Sequence, residues 1–284
     1  MLNKLTDRIY YSDFVEKGDR PVLGLIVGDK YSLVIDGGNS RAHAQKFLNE
    51  VSKLDISPLK YLVLTHWHWD HVFGVTTMDL VNLVQEKTNE KLKWLNTLKW
   101  TNEDIDKRVK RGEEIEFCSE NIKIELPNNH RCVEIPLADI VFKENIRMDL
   151  GGININIEHF PCDHSDDCCI IHVEEEKVVF LGDAIYLDMY NEPWSYSKEK
   201  LYPLLDKLEQ YNANYYIPAH HPKYTKESFK NFSRYIKDIG NIVGKSVELE
   251  ECIEKFQKSF CKRPTEEEIN DLKVFIEGNR KTIK

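Results

Sequence analysis

The sequence predicts an α/β protein in which two β-sheets pack together with helices on the outside. Three observations point there. Strand-like and helix-like stretches come in blocks, in the order strand-rich, helix, strand-rich, helix. Several strand candidates, such as YLVLT and VVFLG, are short unbroken apolar runs, the pattern of strands buried in a layered sheet. The histidines and aspartates that can do chemistry fall at the ends of those runs.

Taken in order, VLGLIVGD (22–29) and YSLVIDGG (31–38) read as a hairpin around Gly-Asp-Lys. Residues 40–54 read as a helix. Ala44, Phe47, Leu48, Val51 and Leu54 recur at helical spacing, and Ser40 is placed to cap it. YLVLT (61–65) reads as a buried strand running into LTHWHWDH. Residues 76–112 mix apolar and charged positions at helical spacing, with TNED as a first turn and Gly112 as a stop. IEFC, IKIEL, VEIPL and ININIEHF, between 115 and 160, read as short strands, with Gly151-Gly152 as a turn. CCIIHV and KVVFLGD form a strand pair around Glu174-Glu175-Glu176. KEKLYPLLDKLEQY is an amphipathic helix, and NYYIPAHH is a strand ending in histidines. From Lys226 onward the chain reads as helical, with Ile236, Ile239, Val243, Val247, Ile253 and Phe256 as its apolar positions.

Composition narrows the function. The chain has 284 residues, 41% of them hydrophobic, enough for a sizeable core. A formal net charge of −9 argues against a protein whose main task is to grip a polyanion. No stretch approaches the ~18 consecutive apolar residues of a membrane span, and MLNKLTDRIYYSDF has no apolar core of a secretory signal. Seven cysteines then read as reduced thiols. The expectation is a cytoplasmic protein with no membrane partner, and with the charge balance counting against a nucleic-acid partner.

The chemistry is concentrated in THWHWDH. Side chains at i and i+2 of an extended segment share a face, so His66 and His68 can converge on one ion. Asp70 and His71 are neighbours, and both reach a metal only if the chain bends after His68. Two ligand pairs still leave a zinc site short of donors. The strand-end candidates are His164 in FPCDHSDDC, Asp183 in VVFLGDAIY, and His220 or His221 in YIPAHH. Each alone is an ordinary turn or surface residue; their joint occurrence is the signal. Cys162, Cys168 and Cys169 flank His164 and can ligate zinc as thiolates, but without a CxxC pair they read better as small buried residues. Trp67 and Trp69 alternate with the ligands, so they are expected to pack behind the ligand loop; of the two, Trp69 is the better candidate to reach a substrate pocket.

HWHWDH at 66–71, followed by His164, Asp183 and His220 in that order, resembles the metallo-β-lactamase-fold hydrolase superfamily. The resemblance covers roughly residues 5–224. It implies a four-layer αββα sandwich with the metals at one edge, a helical insertion and a helical C-terminal tail. It implies a catalytic domain over 1–225 with an insertion at about 76–150, and a helical appendage over 226–284. It implies that His66, His68 and His164 bind one ion, and that Asp70, His71 and His220 bind another, with Asp183 bridging. The ions are expected to be two divalent metals, zinc first, with iron or manganese as alternatives. Bound water with its pKa lowered toward ~7 supplies hydroxide to attack an acyl carbonyl or phosphorus. Asp70 and Asp183 would orient it or take its proton, and Tyr186 would donate to the oxyanion, as a tyrosine does in lactonases of this fold.

Departures from the family pattern bear on substrate. The turn at His164 reads FPCDHS, longer and without glycine; Ala219 replaces a common glycine; the stretch from His71 to His164 is long. Lactamases of the fold usually lack an aspartate at the Asp183 position, so antibiotic hydrolysis is disfavoured. The leading expectation is a dinuclear hydrolase of a small ester, thioester or lactone. A phosphodiesterase or RNA-processing nuclease and an iron-dependent, oxygen-using enzyme are the alternatives. A non-catalytic metal-stabilised module would need a closed ion site. Trp94, Leu95, Leu98 and Trp100 are candidates for a wall of the site, a homodimer surface or plain core.

Overall fold

A computed structural model describes residues 1–283. The first sheet takes β1 (Leu2–Lys4), β2 (Ile9–Ser12), β3 (Gly24–Val27), β4 (Ser32–Ile35), β5 (Leu59–Val63), β6 (Val81–Gln85) and β7 (Ile140–Phe142), in that spatial order. Its first four strands are antiparallel and its last four parallel, β4 belonging to both sets. The second sheet contains β8 (Asn145–Asp149), β9 (Asn154–His159), β10 (Cys169–Val173), β11 (Val178–Gly182), β12 (Tyr215–Pro218) and β13 (Tyr224–Thr225), again in sequence order. Only β11 and β12 pair parallel there. Over the first sheet lie α1 (Arg41–Val51), the short α2 (Trp69–Val72) and α3 (Val75–Met78), then α4 (Glu86–Leu95), α5 (Asn102–Lys110) and α6 (Glu116–Glu125). Over the second lie α7 (Lys198–Gln210), α8 (Lys226–Val243), α9 (Leu249–Phe260) and α10 (Glu266–Ile283).

The strand period of two builds the layers. Leu33, Ile35 and Val63 face the space between the sheets, where they meet Ile155, Ile171 and Phe180. Their neighbours Val34, Leu62 and Leu64 face outward onto Phe47, Val51 and Leu92 of the helices. In the second sheet Ile170, Val179 and Leu181 face outward onto α7, α8 and α10. Each central strand is covered on both sides, which is why it reads as a continuous apolar run. The result is the four-layer αββα sandwich.

Ser40 caps α1 by accepting the His43 N–H at 3.0 Å. Three readings of the sequence change, the first being VEIPL (133–137), read as a strand but irregular between α6 and β7. Residues 81–85, read as part of a helix, are the buried parallel strand β6, because LVNLVQ is an apolar run too short for periodicity to separate strand from helix. IEFC and IKIEL, read as strands, form α6, which buries Cys118, Ser119 and Ile122 on one face. Trp100 and Leu95 lie in the core over the first sheet, with Trp94 and Leu98 packed against it. The last three helices share one core with the second sheet: Phe229, Ile239, Phe256 and Phe275 pack with Ile170 and Val179. Among the described residues, no helix is long and apolar enough to cross a membrane.

Candidate metal centre

Leu64 and Thr65 leave β5, and His68 is the N-cap of α2 with extended backbone (φ −60°, ψ 148°). The chain therefore turns after His68, and one helical turn carries Asp70 and His71 back toward His66. Gly74 makes this turn fit: a Cβ there would lie 2.1 Å from the Gly37 carbonyl oxygen. Gly37 donates to the His71 carbonyl at 2.8 Å and Gly74 to that of Gly38 at 2.9 Å, tying α2 to the end of β4. His164 comes from the β9–β10 connection, Asp183 directly follows β11, and His220 lies two residues beyond β12. All these strands end at the same edge of the sandwich.

The structure brings the seven residues into two groups. His66, His68, His164 and Asp183 form one; Asp70, His71, Asp183 and His220 form the other; within each, one donor atom per residue lies within 4.8 Å of the rest. Asp183 belongs to both. Its Oδ2 is 3.2 Å from His164 Nε2, 3.5 Å from His71 Nε2, 3.6 Å from His220 Nε2 and 3.7 Å from His66 Nε2. Asp70 Oδ2 is 3.0 Å from His71 Nε2 and 3.1 Å from His220 Nε2.

The donor set suits a cation. His68 Nδ1 is 2.9 Å from both His66 Nε2 and His164 Nε2. A neutral imidazole nitrogen has one lone pair or one proton, so Nδ1 cannot satisfy both neighbours. Asp183 Oδ1 is buried without a hydrogen-bond partner, an arrangement that is costly unless something else is bound there. Imidazole nitrogens with carboxylate oxygens are the ordinary donors for zinc and related divalent metals. Burial, with the neighbouring imidazoles, pushes His66 and His68 well below the ordinary histidine value, so both are neutral and able to ligate. Burial also acts on His71, but the carboxylates of Asp70, Asp36 and Asp183 outweigh it and raise its pKa.

A supporting set of contacts orients the rings. Asp36 Oδ2 is 2.8 Å from His71 Nδ1, and Asp36 itself accepts the Thr65 N–H at 2.7 Å and the Thr65 hydroxyl at 2.9 Å. His164 Nδ1 is 3.2 Å from the Leu187 carbonyl oxygen. Asp19 Oδ1 is 3.2 Å from His220 Nδ1. Burial and the nearby Asp70 charge push Asp19 up to about 7 in the metal-free chain. The sequence reading does not reach Asp19 or Asp36, although Asp36 ends an apolar strand just as Asp183 does.

Tyr186 lies on the cavity wall, and its hydroxyl accepts the His220 N–H at 2.9 Å. His221 is exposed, with its ring 5.0 Å from that of Tyr186, and belongs to neither ligand group. Cys162, Cys168 and Cys169 are buried and also lie outside both groups. Trp67 is buried over the first sheet, and its Nε1 donates to Ser165 Oγ at 3.1 Å. It also borders a polar groove beside His68 and His164. Trp69 packs on Phe73 and lines neither this groove nor the metal cavity, so Trp67 is nearer to solvent than the alternation suggests. The helical start after His68 is what rotates Trp69 into the core. Tyr190, unforeseen, lays its ring 4.9 Å from that of His68 and donates to Glu114 Oε1 at 3.0 Å.

The centre opens into a cavity of about 330 Å³ walled by Ile115, Phe117, Tyr186, Leu187, Met189 and Trp194. Among the described residues, no lysine or arginine lines it.

Residues 21–220 match the family model described as "Metallo-beta-lactamase superfamily", and the chain belongs to that superfamily. No curated protein matches it by sequence. Solved structures match in fold. A metallo-beta-lactamase from Pontibacter korlensis is 15% identical at a TM-score of 0.56, covering 84% of this chain and 99% of its own. A metallo-beta-lactamase family protein from Thermus thermophilus is 14% identical at 0.62, covering 98% and 95%. A stereoselective inverting sec-alkylsulfatase from Pseudomonas sp. is 14% identical at 0.64, covering 98% of this chain but 50% of its own.

Proposed function

We propose that the protein is a metal-dependent hydrolase that holds two divalent ions, zinc first among them, and cleaves a small uncharged ester, thioester or lactone. The observation that carries this reading is the position of Asp183. Its Oδ2 stands between two groups of imidazoles, at the floor of an open cavity. A shared carboxylate between two donor sets is what a two-ion site requires, and an open side is what separates catalytic from structural metal sites.

Metal ions held there would supply a Lewis acid and a water acidified toward a pKa of ~7. The chain's own residues do the rest. Asp70 and Asp183 line the cavity and could orient such a water and take up its proton. Tyr186 accepts the His220 N–H, which leaves its own hydroxyl proton free to donate to an oxyanion in the cavity. Tyr190 and Trp67 hold the His68 ring from behind.

The apolar cavity carries no cationic side chain, which favours a neutral substrate there over a phosphodiester or RNA; Lys87, Lys91 and Lys200 lie instead on the separate polar groove beside His68 and His164. All seven cysteines are free thiols, which suits a reducing compartment, and we place the protein in the cytoplasm.

Elemental analysis of protein purified without added metal, beside the His68→Ala variant, is the test. About two zinc per chain, lost or halved in the variant, with hydrolysis in an ester, thioester and lactone screen, is the expected result. Iron in place of zinc would redirect the work to oxygen consumption. No metal in either protein after reconstitution would end the proposal.

A further inference from the structure

We infer that the substrate carries an elongated apolar arm, and that the arm lies in a groove between the 187–196 loop and the helices α8, α9 and α10. The inference rests on the metal-centred reading above and names the substrate class within it: an acyl or alkyl compound rather than a compact polar one.

The metal cavity shares part of its lining with a neighbouring groove. Leu187, Trp194, Tyr196 and His221 line both the cavity and this second groove of about 1060 Å³. That groove runs over the C-terminal helices. Phe232 and Ile236 of α8, Leu249 of α9, and Val274 and Ile276 of α10 contribute its apolar surface. The charged residues that reach it, Glu267, Asp271, Lys273, Glu277 and Arg280, are of mixed sign. Asp271 accepts the Tyr235 hydroxyl at 2.6 Å and Glu277 pairs with Arg280 at 2.5 Å, so they offer no free single-sign patch for an ionic head group.

Two large side chains at the metal cavity are unusually open. Trp194 is 40% exposed and Phe117 is 40% exposed. Exposed aromatic surface beside a concave apolar site is the signature of a surface meant to be covered.

The groove is preformed. Helix α10 lies directly on the loop, because a Cβ at Gly278 would fall 1.9 Å from the Tyr196 carbonyl oxygen. Tyr196 donates its N–H to the Val274 carbonyl at 3.0 Å. Lys281 Nζ reaches Asp188 at 3.1 Å and Ser195 Oγ at 2.8 Å. A wall held this way loses little freedom when a ligand binds, so methylene burial adds directly to affinity. Helices α8–α10 thereby acquire a role: they extend the reach of the metal site.

The test is binding, separate from turnover. The zinc-reconstituted full chain is titrated calorimetrically with acetohydroxamate and octanohydroxamate, whose shared head group ligates metal. The eight-carbon compound is expected to bind at least about 30-fold more tightly, well within what burying six methylenes provides. Val274→Trp, which fills the groove away from the metals, is expected to reduce that ratio to about threefold or less. Acetohydroxamate affinity should be unchanged. Leu249→Glu, on a different helix, repeats the test if Val274→Trp does not fold. Equal binding of the two compounds to the wild type would overturn the inference. So would a chain-length preference that survives both substitutions. A concentration-dependent dimer broken by Val274→Trp, without any chain-length preference, would give the groove to a second copy and also overturn it. A kept preference with no ester, thioester or lactone hydrolysed would remove the hydrolase reading and leave the groove assignment standing.

Discussion

Asp36 Oδ2 lies 2.8 Å from Nδ1 of His71, although 35 positions separate them in the chain. The contact holds the His71 ring so that Nε2 faces Asp183. Asp36 adopts a left-handed backbone (φ 61°), which aspartate tolerates better than most residues, and Thr65 donates its N–H to Oδ1 and its hydroxyl to Oδ2 of the same carboxylate. Asp36→Ala is expected to weaken metal binding by about 10–100-fold while leaving the ligands in place. Competition against a chelator reads this, and wild-type affinity in the variant would refute the orienting role.

Metal should stabilise the fold more strongly as pH rises. Burial opposes protonation of His71, His164 and His220, but the carboxylates around them win, and their pKa values lie above the ordinary histidine value of 6.5. In the metal-free chain these protonated pairs contribute stability that is fully present below the unfolded pKa and is lost as pH rises through the raised folded values. Metal must displace those protons, so its binding weakens toward low pH. The rise in Tm on adding zinc is expected to be larger at pH 8 than at pH 6. Thermal melts with and without metal at both values decide it; a gain that is the same or smaller at pH 8 contradicts the assignment.

Trp67 is a support for the ligand loop. Its ring packs 5.7 Å from Trp94 and 4.7 Å from His68, and its indole donates to Ser165, next to His164. Trp67→Ala is expected to cost about 3–5 kcal/mol of stability, the range for removing a large buried aromatic. Metal retention should fall with it. A variant with unchanged melting and full metal content would show that the indole is dispensable.

Tyr186→Phe separates chemistry from structure. The ring stays and only the hydroxyl beside His220 is lost. Metal content should match the wild type, while kcat on the best ester falls by about 10²-fold, as for loss of one oxyanion donor. An unchanged kcat would leave Tyr186 as a wall residue.

Much of the site is legible because its signal is local. His66 and His68 share a face by strand period, and the crowding of His66, His68, Asp70 and His71 into six positions needs no tertiary information. His164, Asp183 and His220 are legible by position, each close beyond an apolar strand. Asp36 also follows an apolar strand, but without a family motif attached to it, and Asp19 follows none. A lone aspartate after a strand is ordinary, and only folding shows that one reaches His71 and the other His220. Strand β6 imitates a helix segment because it is buried on both faces, which erases the alternation that marks a strand. Helix α6 imitates a strand because its IKIE segment carries that alternation.

The sequence by itself determined the candidate ligand types, the bend that brings them together and the layered α/β class, because those follow from residue chemistry and short-range periodicity. The tertiary structure alone decided that Asp183 stands between two imidazole groups, that Tyr186 faces the cavity, and that a groove over the C-terminal helices shares Leu187, Trp194, Tyr196 and His221 with it. Such features depend on how strands far apart in the chain end at one edge of a sandwich. That placement is set by packing of the two sheets and their helices, which no local pattern encodes.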